Sequence, residues 1–272
     1  MRAAVLGSPV GHSLSPVLHG AAYAALGLHD WHYDAHECSE HQLAGFVAGL
    51  DDDWAGLSLT MPLKRVALEV ADEVSPLVAA TGAANTLVLR GGRRRAENTD
   101  VAGIVAALRG AGAGTGPAVV LGAGGTAQAA LAALREIGAT DVTVLVRSAA
   151  RAGELRAAAE RLGMAPALRE DLSDPVRAAR ALAGAEVAIS TLPGPAADAL
   201  TGAGRGAVVL DVVYAPWPTP FAAAAAAAGA RVVSGLEVLL HQAAAQVALM
   251  TGRPGPVGAM RVALEDAVAA RA

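Results

Sequence analysis

Short apolar runs alternate with amphipathic stretches along most of the chain, and that alternation sets the first expectations. Residues 2–7 (RAAVLG) predict a strand, 15–27 a helix, 31–38 a strand, and 39–50 a helix opened by a Ser39-x-x-Gln42 capping box. Residues 55–60 (AGLSLT) read as the next strand and 62–72 (PLKRVALEVAD) as a helix, with Thr60 just before it and Pro62 at its start. Residues 84–100 predict two short strands around a Gly91-Gly92 turn. Strand and helix in regular succession imply a mostly parallel, open α/β sheet.

A helix over 101–112 leads into the glycine-rich GAGTGP, and a second α/β unit follows. There 118–138 runs strand, glycine turn, helix, and 141–148 (DVTVLVRS) supplies the next strand. Further strands are expected at 186–191, 207–214 and 230–235, each after a helical segment, and two helices close the chain at 236–252 and 256–272. By periodicity alone those two helices fit either unit. The alanine run 221–230 reads as a surface helix, because it is too short to span a membrane.

Composition sharpens the picture at a few positions. Among 21 lysines and arginines there is one lysine, Lys64, and the two asparagines, Asn85 and Asn98, lie close to it in sequence. A helix N-terminus disfavours an ammonium by about 0.3–1 kcal/mol, so stability alone gives no reason to keep a lysine there. The net charge of −4, without a dense basic stripe, argues against a nucleic-acid partner. One cysteine, Cys38, permits no internal disulfide, and no signal peptide precedes the first strand, so the cytoplasm is the expected compartment, with no membrane partner. Six of the seven histidines lie between His12 and His41, but they form no metal-ligand pattern with a carboxylate or thiol, and no metal is expected.

The turn after residues 118–121 offers Gly122, Gly124 and Ala127 in G-x-G-x-x-A spacing, directly after an apolar strand and before a helix. A first glycine allows the tight turn, a second lets the backbone approach a pyrophosphate, and the helix N-terminus receives the negative charge. Asp141 lies at the wrong end of the following strand to take a ribose hydroxyl. The ligand end carries Arg147, Ser148 and Arg151 and no carboxylate, which suits the 2′-phosphate of NADP. Nearer the N-terminus, Ser15 is expected as a helix N-cap followed by Pro16, and Ser13 two residues earlier adds a second hydroxyl able to hold a small carboxylate.

SPVGHSLSP, LTMPLK, GAANT, NTD, LGAGG, VRSAAR, DVVYAPWPTP and HQAAAQ, in that order, resemble the shikimate dehydrogenases over nearly the whole chain. The resemblance implies two α/β domains, a substrate domain over 1–100 and a Rossmann-like NADP-binding domain over 101–236. The helices of 237–272 would return to the first, with the substrate in a cleft between the two. It implies NADPH-dependent reduction of 3-dehydroshikimate to shikimate, with Lys64 and Asp100 as the catalytic pair. Ser13 and Ser15 would bind the substrate carboxylate, and Thr60, Asn85, Asp100 and Gln242 its hydroxyls, with Tyr214 bordering the cleft. Gly122, Ala123, Gly124, Gly125, Thr126, Ala127, Arg147, Ser148, Arg151, Thr191 and Gly235 would contact the dinucleotide. A solvated helix face, shared with Gln246 one turn on, is the plain alternative for Gln242. Ser58 departs from the asparagine common at its position. A quinate or aminoshikimate dehydrogenase, or a non-catalytic NADP- or metabolite-sensing protein, remains open, as does a homodimer.

Overall fold

The computed structural model describes residues 1–271. The chain divides into two compact units, Met1–Gly103 with the segment from Leu239 onward, and Ile104–Val238.

In chain order the first unit holds β1 (Arg2–Gly7), α1 (Ser15–Ala25), β2 (His32–Glu37), α2 (Glu40–Ala48), β3 (Trp54–Leu59), α3 (Ala67–Val70), β4 (Glu73–Val74), α4 (Pro76–Thr81), β5 (Thr86–Arg90) and β6 (Arg93–Glu97). Helix α5 (Asp100–Gly110) then carries the chain into the second unit. The first sheet has the order β2-β1-β3-β5-β6-β4. It is mixed: β1 pairs parallel with β2 and β3, and β4 with β6, but β5 runs antiparallel to both β3 and β6. The two-residue turn at Gly91-Gly92 makes β5 and β6 antiparallel, since a parallel neighbour would need a crossover of a dozen residues or more. Strand β3 is buried at every position, and its apolar side chains join Leu6, Leu43, Leu63, Val78 and Leu87 in one core cluster.

The helix expected over 62–72 is the clearest departure. Only Ala67–Val70 is helical. The Lys64 carbonyl, which a continuous helix would give to Leu68, instead accepts the Ala84 N–H at 2.8 Å, while Leu68 N–H turns to Arg65 at 3.0 Å. A distant backbone partner thus takes the acceptor on which helix propagation depends. Lys64 lies in a run of turns, three residues before a one-turn helix, so the dipole penalty inferred for it does not apply.

The second unit continues with β7 (Ala118–Leu121), α6 (Gly125–Ile137), β8 (Val142–Leu145), α7 (Gly153–Arg161), β9 (Ala167–Arg169), α8 (Pro175–Ala183), β10 (Val187–Ser190), β11 (Val208–Asp211), α9 (Pro220–Ala227) and β12 (Arg231–Ser234). Its sheet order is β12-β11-β10-β7-β8-β9 and every pair is parallel. Read from the other edge this is the doubly wound dinucleotide-binding order, whose direction reverses between β7 and β10. Helix α6 is buried along Ala127–Leu134, and its many alanines let its backbone lie close to its neighbours. The alanine run forms α9, whose buried Phe221, Ala222 and Ala225 join the unit's core while the opposite face is exposed. One fully buried phenylalanine contributes about 1.5–3 kcal/mol, enough to seat an otherwise featureless helix.

Helix α10 (Gly235–Thr251) carries the chain back, and α11 (Val257–Ala269) follows and packs on α1. No helix among the described residues is long and apolar enough to cross a membrane.

Candidate active site

Lys64 Nζ donates to Asp100 Oδ2 at 2.5 Å. Asp100 opens α5, where the positive end of the helix dipole suits a carboxylate. Its other oxygen accepts from Asn85 Nδ2 at 2.8 Å, and its backbone N–H donates to Asn98 Oδ1 at 3.1 Å. The carboxylate is therefore oriented by a donor on each oxygen, and the lysine is held from one side. An ammonium has three N–H donors, so two remain for a ligand.

Asn85 is the organising residue. Its Oδ1 accepts from Thr99 N–H at 2.8 Å and Thr86 Oγ1 at 2.9 Å, and its backbone is tied to Leu59 and Glu97 at 2.7 and 3.1 Å. Besides Asp100, its Nδ2 faces Thr99 Oγ1 at 2.9 Å and Gln242 Oε1 at 3.3 Å. With two hydrogens for three acceptors, the long Gln242 contact is the one a ligand hydroxyl would displace most cheaply. Gln242 is buried, not on a solvated face, and also donates to Leu239 O at 3.0 Å. Thr60 is half-buried and its hydroxyl has no hydrogen-bond partner among the described residues.

The two serines of the first helix exchange the parts expected of them. Leu14 occupies the N-cap position of α1 and Ser15 is already its first residue. The capping oxygen belongs to Ser13, whose Oγ accepts the Ser15 N–H at 3.2 Å. Ser15 itself is buried at the start of the helix.

In the second unit, Gly122 has φ +111, and a Cβ there would lie 2.6 Å from Thr191 Oγ1, so only glycine fits. Thr191 follows β10, with its N–H and hydroxyl both on Leu121 O at 3.0 and 2.7 Å. Gly122 and Thr191 thus meet at the point where the strand order reverses. Gly124 precedes α6 with no side-chain cap, and a Cβ built on it meets nothing within 4 Å. The first helical hydrogen bond is Gln128 N–H to Gly124 O, so the N–H groups of Gly125, Thr126 and Ala127 have no acceptor within the helix and none among the described residues. Free donors, a glycine cradle and a thirteen-residue helix behind it fit a dinucleotide's pyrophosphate. Ala123 lies within the same turn. Gly235 has a packing reason of its own: a Cβ there would lie 2.0 Å from Val212 O. Tyr214 is half-buried in the loop after β11. In that loop's frame, Asp211 accepts from Thr219 Oγ1 at 2.7 Å and Val213 N–H at 3.2 Å, and burial pushes its carboxyl up.

Arg147 and Arg151 are exposed and Ser148 half-buried, and among the described residues neither arginine makes an ion pair. The ligand end of β8 does hold a carboxylate, against expectation. Glu170, just past β9, accepts the Ala149 N–H at 2.5 Å.

Residues 5–87 match the family model described as the shikimate dehydrogenase substrate binding domain, and residues 235–265 that of the shikimate 5′-dehydrogenase C-terminal domain. A shikimate dehydrogenase (NADP(+)) of Sinorhizobium fredii is 39% identical over 254 residues, covering 88% of this chain and 85% of that one. The chain belongs to the shikimate dehydrogenase family. Among solved structures, the Mycobacterium tuberculosis shikimate dehydrogenase is 47% identical with a TM-score of 0.88, covering 97% of this chain and 98% of that one. The Thermus thermophilus shikimate 5-dehydrogenase in complex with NADP(H) and shikimate is 34% identical with a TM-score of 0.84, covering 98% and 99%.

In this shikimate dehydrogenase family member a buried network lies behind the site that the sequence did not disclose. Ser58 donates to Gln246 Oε1 at 2.9 Å and accepts from the Tyr33 hydroxyl at 2.6 Å. Gln246 Nε2 donates to Thr86 Oγ1 at 3.0 Å and Asn85 O at 3.3 Å. His19, fully buried and stacked on Tyr33 at 3.9 Å, completes the shell with Nε2 at 3.3 Å from Gln246 Oε1 and Nδ1 at 3.4 Å from the Tyr23 hydroxyl. One assignment satisfies every group: a neutral imidazole donating from Nε2 and accepting at Nδ1. Burial enforces it, lowering the imidazole from its ordinary 6.5 to about 3. Burial likewise pushes the Tyr33 phenol up. Gln246, whose place one turn from Gln242 lends weight to the plain alternative of a solvated face, is 1% exposed and links this shell to Asn85.

Proposed function

We propose that this protein catalyses the reversible, NADPH-dependent reduction of 3-dehydroshikimate to shikimate, with the first unit as substrate domain and the second as NADP-binding domain. The observation that carries the reading is the Lys64–Asp100 pair, anchored by Asn85 in a chain whose relatives are named for this NADP(+)-linked activity.

The bound dinucleotide would supply the hydride to the C3 carbonyl carbon. Lys64 donates the proton to the carbonyl oxygen as negative charge develops there, and Asp100 holds the ammonium in place and restores its proton balance with solvent. In the reverse direction the pair accepts the hydroxyl proton. Arginine could not substitute, because a guanidinium does not give up its proton in proteins. Asn85, Gln242 and the unpartnered Thr60 hydroxyl hold the ring hydroxyls, Ser13 and Ser15 the carboxylate, and Tyr214 borders the substrate. Gly122 through Ala127, with Thr191 and Gly235, cradle the pyrophosphate and nicotinamide, while Arg147, Ser148 and Arg151 take the 2′-phosphate.

Following the absorbance of the reduced nicotinamide with 3-dehydroshikimate tests the reading, with NADPH and NADH in parallel and with shikimate and quinate in reverse. NADPH-linked turnover with shikimate as the preferred reverse substrate is expected. Absence of turnover despite ligand binding would replace the reading with a sensor, and preference for quinate would move the substrate.

A further inference from the structure

The loop that follows β8 carries a contradiction in charge. Arg147 and Arg151 offer guanidiniums without ion-pair partners among the described residues, yet the backbone amide between them, that of Ala149, is already engaged by Glu170 at 2.5 Å. The placement is fixed by the sheet. Strand β9 pairs with β8 so that Leu145 lies opposite Arg169, and beyond that pair Val146 N–H donates to Arg169 O at 2.9 Å while Leu172 N–H donates to Val146 O at 3.4 Å. The segment 169–172 is thereby bound alongside residue 146, and Glu170 is delivered to the start of the arginine loop. Its charge is not neutralised by its neighbour: Arg169 is paired with Asp171 at 2.6 Å.

We propose that Glu170 is a specificity-determining residue that opposes the cofactor's 2′-phosphate, so that this chain separates NADP(H) from NAD(H) less sharply than its two arginines alone would. The inference rests on the cofactor reading above. A phosphate arriving at Arg147, Ser148 and Arg151 must displace the Glu170 carboxylate from the Ala149 amide or sit beside a like charge. A nucleotide with a free 2′-hydroxyl meets no such conflict, and a carboxylate is the usual acceptor for that hydroxyl.

The test is direct binding of adenosine 2′,5′-bisphosphate and adenosine 5′-monophosphate, which differ by the 2′-phosphate alone, to the whole protein and to Glu170→Gln and Glu170→Ala. Glutamine keeps an acceptor for the Ala149 amide and removes the charge; alanine removes both. The ratio of the two affinities is expected to rise about five- to tenfold toward the bisphosphate in Glu170→Gln and further in Glu170→Ala, with the gain shrinking at high salt. An unchanged ratio in both variants, with both nucleotides still bound, would overturn the role of Glu170 and leave the cofactor reading intact. Binding of neither nucleotide by the unmutated protein would overturn both.

Discussion

Lys64 Nζ stands 2.5 Å from Asp100 Oδ2, and the opposite oxygen of the same carboxylate takes the Asn85 amide at 2.8 Å. One carboxylate thus joins the proton-carrying group to Asn85, whose amide meets Thr86, Thr99, Asp100 and Gln242. Asp100→Asn keeps the size and most of the hydrogen bonding but removes the charge that holds the ammonium. Turnover should fall by about 10²- to 10⁴-fold, the range of general acid–base contributions, with a much smaller change in KM for shikimate. Steady-state kinetics of the variant checks this, and near-normal turnover would detach Asp100 from the chemistry.

Gln246 touches no proposed ligand, but it joins Ser58 and His19 to Thr86 and Asn85. Gln246→Leu leaves several buried partners unpaired. A stability loss of about 1–3 kcal/mol is expected for such an unsatisfied polar site, measured as a lower urea midpoint, together with a raised KM as Asn85 loses a support. An unaltered midpoint would show that the network relaxes around the leucine.

His19 makes stability depend on pH. Its imidazole titrates near 3 in the folded chain and near 6.5 when unfolded, so between these values the unfolded state binds the extra proton. Stability therefore falls as pH drops through that window, by up to about 1.4 kcal/mol per pH unit from this one group. Urea unfolding between pH 7 and 5 should show a shallower pH dependence in His19→Gln than in the unmutated protein. Parallel curves would mean that the buried imidazole is not the source.

Gly122 combines φ +111 with a Cβ position 2.6 Å from Thr191 Oγ1. Gly122→Ala should destabilise the second unit by at least about 1–3 kcal/mol and abolish the thermal stabilisation given by NADP+. A variant that still gains the full shift with NADP+ would place the pyrophosphate elsewhere.

Much of this was legible in the chain. The strand–glycine–helix run at 118–138 combines a short apolar strand, a turn that needs glycine and a long periodic helix, and all three signals agree. The break of the helix around Lys64 was not legible, because the decisive hydrogen bond comes from Ala84, twenty residues away. The role of Gln246 was not legible, because two glutamines one turn apart resemble a polar face as much as a buried pair, and only the pairing of α10 with Ser58 and Thr86 reveals the burial. Glu170 escaped because β9 is three residues long and largely exposed, with no apolar period to announce it. Sequence showed the residues that need a particular chemistry; the partners that hold them came from tertiary pairing.

The most direct measurement is shikimate-dependent reduction of NADP+ by Lys64→Ala beside the unmutated protein, with shikimate binding followed in the same samples. Turnover lower by about 10²- to 10⁴-fold with binding retained is the expected result. Near-normal turnover by a variant that still binds shikimate would contradict the assignment of Lys64 as the proton donor.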